Sequence, residues 1–126
     1  MNKVEGSFEV NLEPAQDEIS AGRMLLDKTY SGSLSGTGKG QMLSMRSEVQ
    51  GSAAYVAIEH FEGELEGKKG SFSLYHRGLM DKGASSLEVG IIPDSGQGEL
   101  KGIKGQMDII IEQGKHFYVF EYTFEQ

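Results

Sequence analysis

The sequence contains no cysteine. Disulfides, thiolate metal sites and a cysteine nucleophile are therefore excluded, and the composition fits a reducing compartment. No stretch approaches the roughly 20 consecutive apolar residues that a membrane-spanning helix requires. The first residues also lack the apolar run of a signal peptide. We therefore expect a cytoplasmic protein with no membrane partner.

Basic residues are scarce as well. Twelve Lys and Arg stand against nineteen Asp and Glu, which gives a net charge of −7. Because binding to nucleic acid depends on neutralising its phosphates, no nucleic-acid partner is expected. At 126 residues the chain is close to the commonest size of one domain, and we predict a single domain over residues 1–126.

Glycine, in contrast, is abundant. The 18 glycines are about twice the average usage of roughly 7%, and they are spread between β-branched and aromatic residues. Apolar residues recur with a period of two, which is typical of strands joined by tight turns. The pattern predicts strands near 4–12, 23–35, 40–49, 53–66, 70–78, 86–92, 97–111 with a break at Gly102 to Gly105, and 115–124.

A Gly-x-Leu-x-Gly unit occurs at residues 32–36, 63–67 and 98–102, and a further glycine follows each copy within four residues. Each copy is interpreted as a hairpin in which glycines supply the turn. Gly36 to Gly40 resembles a phosphate-binding loop, but a strand follows it where such a loop needs a helix, so we interpret it as a hairpin turn. Pro14 to Gly22 is expected to form a loop or a short helical turn.

Eight long antiparallel strands leave no room in this chain for a helical layer. Closure of the sheet into a barrel is the simplest way to remove its edges. We therefore predict an all-β fold, a closed antiparallel barrel of about eight strands. Two stacked sheets are the alternative.

Four segments form a specific combination of motifs, GSAAYVAIE (51–59), FEGELEGKKGSFSLYHRG (61–78), PDSGQGELKG (93–102) and HFYVFEYT (116–123). Together they resemble the domain of unknown function 3224 family, uncharacterised bacterial proteins with an allene oxide cyclase-like barrel. The resemblance implies the same barrel. It implies no function, because fold alone does not carry function.

One hairpin predicts which side chains face inward. A two-residue turn at Lys68-Lys69 would pair Gly67 with Gly70, and strand alternation then places Glu59 and His76 inside, diagonally across a ladder with Cβ atoms about 7 Å apart. A carboxylate beside an imidazole in an apolar cavity is typical of a general base, so both are catalytic candidates. The alternative is a buried ion pair that only fixes the strand register.

The remaining inward residues predict an apolar lumen that binds a small hydrophobic molecule. A cofactor-independent isomerase or cyclase using Glu59 and His76 is one alternative, and a non-catalytic interaction protein with a filled core is another. No cofactor is expected. A metal site of His60, His76 and His116 is not expected either, because His60 has outward parity. The predicted ligand-binding residues are Tyr55, Phe61, Phe72, Leu74, Tyr118, Phe120 and Tyr122.

The outer face carries more apolar residues than a monomeric barrel normally exposes. Self-association would cover them, so we predict a homo-oligomer, most simply a dimer. The outward apolar residues are Leu43, Met45, Val56, Ile58, Ile92, Ile110, Phe117 and Val119.

Overall fold

The structure is a computed structural model, and it describes residues 2–14 and 22–125. All regular structure in these ranges is antiparallel strand, and they contain no helix long and apolar enough to cross a membrane. The strands are β1 (Asn2–Pro14), β2 (Gly22–Gly32), β3 (Leu34–Arg46), β4 (Ala53–Leu65), β5 (Lys68–Asp81), β6 (Ala84–Ile91), β7 (Gln97–Gly98), β8 (Ile103–Glu112) and β9 (Lys115–Phe124).

Eight of these strands close into a ring. The sheet runs β4-β3-β2-β1-β9-β8-β6-β5, and pairing of β4 with β5 joins its two ends. The two-residue strand β7 adds to β5 at Gly70 and Ser71. The predicted closed antiparallel barrel is therefore confirmed.

Three hairpins turn on a dipeptide that ends in glycine. In each, both turn residues have positive φ, which is the backbone of a type I′ turn and matches the twist of the flanking strands. Glycine adopts positive φ without steric cost, and it occupies the second position of each turn. The turns are Glu66-Gly67 (φ 49° and 85°), Lys82-Gly83 (50° and 93°) and Gln113-Gly114 (51° and 78°).

The β4–β5 turn corrects the predicted register. It lies at Glu66-Gly67, so Leu65 is opposite Lys68, and not at Lys68-Lys69, where two lysines would have needed left-handed backbone. The partner of each β4 residue differs from the predicted partner by an even number of positions along β5. Because side chains alternate between the two faces of a strand, the predicted inward face is unchanged. Glu59 now lies opposite Leu74, and its diagonal relation to His76 survives.

The glycines at 36 to 40 are not a turn. The chain reverses at Gly32 and Ser33, and β3 then runs straight through Gly36, Gly38 and Gly40. These three lie on the inward side of β3, where a Cβ would come within 2.2 Å of atoms of β4. Glycine is needed there because a side chain would collide with β4. In the sequence, glycines that serve this purpose cannot be distinguished from glycines that form a turn.

The third copy of the repeat also departs from a simple hairpin. After β7, residues 99–102 form turns, and β8 begins at Ile103 and continues through Gly105. Leu100, at the centre of this copy, lies in these turns and is completely buried in the core. In the segment from Pro14 to Gly22, Pro14 ends β1 and Gly22 begins β2; residues 15–21 lie outside the described residues.

The two ends of the barrel differ. The turns at Gly32-Ser33 and Glu66-Gly67, together with residues 92–102, lie at one end, which we name the closed end. The β3–β4 connection and the turns at Lys82-Gly83 and Gln113-Gly114 lie at the other, which we name the open end.

An aromatic stack fills the closed half. Phe61 and Phe72 have ring centroids 4.9 Å apart, Phe72 stacks on Phe120 at 5.8 Å, and Phe120 stacks on Tyr122 at 5.5 Å. Leu100 joins the same cluster from the turn after β7. The core therefore lies at the closed end and is plugged there.

One seam of the ring is weak. Strands β6 and β8 share only two residue pairs, Val89 with Met107 and Gly90 with Gln106. Toward the open end, residues 84–88 of β6 and 108–112 of β8 do not pair with each other, and all of 84–88 are exposed. Both strands therefore present free edges there.

Candidate functional site

A cluster of four polar side chains lies inside the barrel, around the carboxylate of Glu59. Lys28 Nζ donates to Glu59 Oε1 at 3.0 Å, and His76 Nε2 lies 2.9 Å from the same oxygen. The Tyr30 hydroxyl donates to the other oxygen, Oε2. No side chain of this group is more than 4% exposed. We name these four residues the Glu59 cluster.

Neighbouring strands make room for the cluster. Lys28 and Tyr30 follow Leu26 on the inward side of β2, and β2 pairs with β3 so that Lys28 lies opposite Gly38. A Cβ on Gly38 would stand 2.1 Å from Glu59 Oε2, so a side chain there would displace the carboxylate. The Lys28 ammonium also lies 4.7 Å from the centroid of the Phe8 ring, where the face of an aromatic ring attracts a cation.

The carboxyl group of Glu59 is held in its charged form. Burial alone would raise its pKa, but the hydrogen bond with His76, the charge of Lys28 and the hydrogen bonds from Tyr30 and Lys28 together lower the pKa below the usual value of 4.5. Burial and the nearby Glu59 charge raise the pKa of Tyr30, so its hydroxyl keeps its proton. The cluster is thus a carboxylate with three donors, an arrangement in which every charge has a partner.

This arrangement limits the chemistry of Glu59. A carboxylate with a lowered pKa is a weak base, and general-base catalysis is most effective when the pKa lies near the working pH. Both of its oxygens are already occupied by donors of the barrel itself. The geometry is that of a structural ion cluster more than that of a poised base.

Most of the predicted ligand-binding residues lie in the packed half. Phe61, Phe72, Leu74 and Phe120 are completely buried in one cluster. Their contacts are with each other and with the rest of the core. Their inward orientation is as predicted, whereas their role in ligand binding stays a prediction.

Two predicted tyrosines serve the turns of the closed end. The Tyr118 hydroxyl accepts from Leu34 N–H at 2.9 Å and lies 3.0 Å from the Ser31 carbonyl oxygen, to which it can donate. The Tyr122 hydroxyl donates to Glu66 in the β4–β5 turn, and burial, with that carboxylate, raises the pKa of Tyr122 to about 12. Both hydroxyls are therefore committed to holding turns.

Inward side chains at the open end are exposed. By strand alternation Leu12, Met80, Leu87 and Ile111 face the barrel interior, yet they are 40, 42, 43 and 65% exposed. Inward residues at the closed end are more buried: Leu34, Leu65 and Ile103 are at most 1% exposed, Tyr122 is 5% and Val4 8% exposed, and Phe124 is half-buried. Within residues 2–14 and 22–125, these inward side chains are therefore in contact with solvent at this end. Further inward residues between this rim and the Glu59 cluster include Val10, Met24, Leu26, Met42, Tyr55 and Ile109.

Tyr55 is the predicted ligand-binding residue that belongs to this open end. It is half-buried, and its ring centroid lies 6.5 Å from that of His76. Its cross-strand neighbour is Gly78, and a Cβ on Gly78 would meet the Tyr55 ring at 2.2 Å. The tyrosine ring thus covers a glycine of the adjacent strand, which fixes its direction.

The described ranges hold no group of three or more histidine and acidic side chains arranged to bind a metal ion. His60 is exposed on the outer face, 3.0 Å from Ser73 Oγ and 3.4 Å from Glu62. His116 is half-buried beside Phe8. The three histidines therefore do not converge.

The outer face is apolar across neighbouring strands β3, β4 and β5. Leu43 pairs with Val56, and Met45 lies opposite Ala54, which in turn lies opposite Leu79. Two grooves of about 290 and 520 Å³ also mark the barrel surface, and neither is lined by Glu59 or His76. The predicted homodimer stays a prediction. Exposed members of the predicted outward set are Leu43, Met45, Val56, Ile58 and Ile110, while Ile92, Phe117 and Val119 are half-buried.

Sequence reasoning missed Lys28 and Tyr30. The sequence contained a signal for Lys28, because it is a charged residue between Leu26 and Tyr30 on the side of β2 that faces inward. A lysine at a buried position needs a carboxylate partner. That requirement would have pointed to Glu59, the acidic residue already placed inside.

These features define a class, an eight-stranded antiparallel barrel with a buried ion cluster, one plugged end and one open apolar end. The family described as "Protein of unknown function (DUF3224)" matches residues 3–122, and the chain belongs to that family, as the sequence motifs predicted. A crystal structure of a DUF3224 protein of unknown function from Shewanella oneidensis MR-1 is 46% identical, with a TM-score of 0.96, and the match covers 100% of this chain and 98% of that one. No curated protein matches the sequence.

Proposed function

We propose that the protein binds a small, mostly apolar molecule at the open end of its barrel. The observation that carries the proposal is the contrast between the ends: inward Leu12, Met80 and Leu87 are at least 40% exposed, whereas the inward residues Leu34, Leu65 and Ile103 of the closed end are at most 1% exposed. Leaving inward apolar surface in water costs about 25 cal/mol per Å². A ligand that covers this surface would recover that free energy.

The lining suits an adaptable apolar site. Met24 and Met42 pair across β2 and β3, and Met80 lies opposite Ala53 at the rim. Methionine is flexible and polarisable, and it is common at surfaces that accept varied apolar ligands. The aromatic stack and the Glu59 cluster form the base of the site, so the ligand would occupy only the interior between the Glu59 cluster and the open end.

The alternative of an isomerase or cyclase at Glu59 and His76 has less support. The carboxylate already accepts hydrogen bonds from Lys28, Tyr30 and His76, and its lowered pKa makes it a poor base near neutral pH. The filled-core alternative describes the closed half of the barrel but not the exposed lining of the other half. The predicted cytoplasmic location remains a prediction.

Methionine methyl groups provide the test. With ¹³C-methyl methionine, a titration with p-xylene should shift the Met24, Met42 and Met80 signals with one saturating curve. The outward Met45 and the core residue Met107 should not respond. Equal shifts at Met45, or no saturating shift at the three inward methionines, would contradict the proposal.

Two lysine substitutions make the test specific. Met42→Lys places a charge among the inward residues and should weaken p-xylene binding, as reported by Met24 and Met80. Met45→Lys places the same charge three residues further along the same strand on the outer face, and it should leave the affinity unchanged. Native mass spectrometry of freshly purified protein would then look for a molecule that co-purifies with wild type and is lost in Met42→Lys.

A further inference from the structure

The tyrosine hydroxyls of the barrel are not equivalent. Four of the five tyrosines face inward, and three of them have their hydroxyls committed: Tyr30 to the Glu59 cluster, and Tyr118 and Tyr122 to turns of the closed end. The hydroxyl of Tyr55 makes no hydrogen bond within the described part of the chain. No buried side-chain oxygen of that part lacks a partner, so this hydroxyl is accessible to solvent.

Tyr55 is nevertheless held in place. Its ring lies across Gly78, where any side chain would collide with it, and it lies beside His76 of the Glu59 cluster. The side chain therefore has a fixed direction and an unused polar tip, at the level where the open end meets the cluster. A fixed donor loses little entropy when it forms a hydrogen bond with a ligand.

We propose that Tyr55 determines which ligands the open end accepts, by a hydrogen bond between its hydroxyl and an uncharged oxygen of an otherwise apolar molecule. This inference rests on the proposed binding function. The favoured ligand is then a small apolar alcohol, phenol, ketone or ester, which should bind more tightly than a pure hydrocarbon of the same shape.

The Glu59 cluster offers no free cation to a ligand beside Tyr55. The Lys28 ammonium is already paired with Glu59, and Arg46, which shares the inward parity of β3, lies beyond Tyr55 at the exposed rim, opposite Ala53. A carboxylate removed from water with a single hydroxyl as its partner would be poorly compensated. Burial and, to a lesser extent, the charge of Glu59 raise the pKa of Tyr55. The hydroxyl therefore remains a neutral donor at physiological pH.

The test compares two ligands of the same shape, p-xylene and p-cresol, in which one methyl group is replaced by a hydroxyl. The affinity of each is measured from the Met24 and Met42 methyl signals. Tyr55→Phe should weaken p-cresol binding about two- to tenfold, the effect of one net hydrogen bond, and leave p-xylene binding unchanged or slightly stronger. Tyr75→Phe is the matched control, because Tyr75 covers Gly90 on the outer face, and it should change neither affinity.

The outcomes separate the two proposals. If both ligands bind to wild type and Tyr55→Phe alters them equally or not at all, the role of Tyr55 is wrong and the binding function stands. If neither ligand shifts the inward methionines, the binding function is wrong and the inference fails with it. Unchanged thermal unfolding of Tyr55→Phe would show that a loss of p-cresol affinity is not a loss of fold.

Discussion

The closed and open ends of this barrel are built from the same alternating strands, yet they meet the solvent in opposite ways. At the closed end, Phe61, Phe72 and Phe120 fill the interior, and Leu100 plugs it from a turn. At the open end, inward Leu12 and Met80 remain exposed. The closed half therefore buries the aromatic core that stabilises the fold, whereas the open half leaves inward apolar side chains in contact with solvent.

The largest expected effect is a substitution in the aromatic stack. Phe72→Ala removes a completely buried ring and should cost about 3–5 kcal/mol of the free energy of unfolding. Met80→Ala at the open end should cost about 0.5 kcal/mol or less, since the residue is already largely in water. Urea unfolding measures both, and equal losses would remove the distinction between the ends.

Glu59 lies at the boundary between the two halves. Glu59→Gln leaves Lys28 without its counter-charge in a buried position, and it should cost about 3–5 kcal/mol. The double variant Lys28→Met with Glu59→Gln removes both charges and should be more stable than Glu59→Gln alone. A double variant that is no more stable would mean that the cluster does not act as an ion pair.

The same carboxyl group should make stability depend on pH. Its pKa in the folded protein lies below the usual 4.5, so the unfolded chain takes up the proton first as pH falls. The stabilisation is present above about pH 4.5 and is lost as pH falls toward the folded pKa. The difference in unfolding free energy between wild type and Glu59→Gln should therefore shrink under acid, and a difference that grows would contradict this.

The smallest expected effect concerns the outer face, which both halves share. If Leu43, Val56 and Ile58 mediate self-association, light scattering after size exclusion should give about twice the 13.8 kDa chain mass. Ile58→Lys should shift the protein toward the monomer without a change in thermal unfolding of the inner core. A wild-type mass near 13.8 kDa would contradict the predicted dimer.

The sequence was sufficient for the architecture because apolar alternation and glycine turns are local signals. The alternation placed Glu59 and His76 correctly inside, even though the predicted turn at Lys68-Lys69 was wrong, since the true register differs by an even number. Turn positions were harder, because a glycine that supplies positive φ, as Gly67 does, is indistinguishable in sequence from one that makes space, as Gly38 does.

The candidate site could be predicted only in part. Glu59, His76 and Tyr55 were identified from one strand pair. Their partners Lys28 and Tyr30 come from β2. This strand does not pair with β4, because β3 lies between the two strands. The open end could not be predicted, because which inward residues are covered depends on how strands tilt and where loops cross, and no local pattern records it.

The short pairing between β6 and β8 makes the ring easier to open at one place than at any other described seam. Amide protons of residues 84–88 and 108–112 that point into this gap lack a strand partner, so they should exchange with solvent before those of β3 and β4, which are paired along their whole length. Unpaired strand edges of this kind can also pair with another extended chain. Local opening of the barrel is therefore expected to begin between β6 and β8.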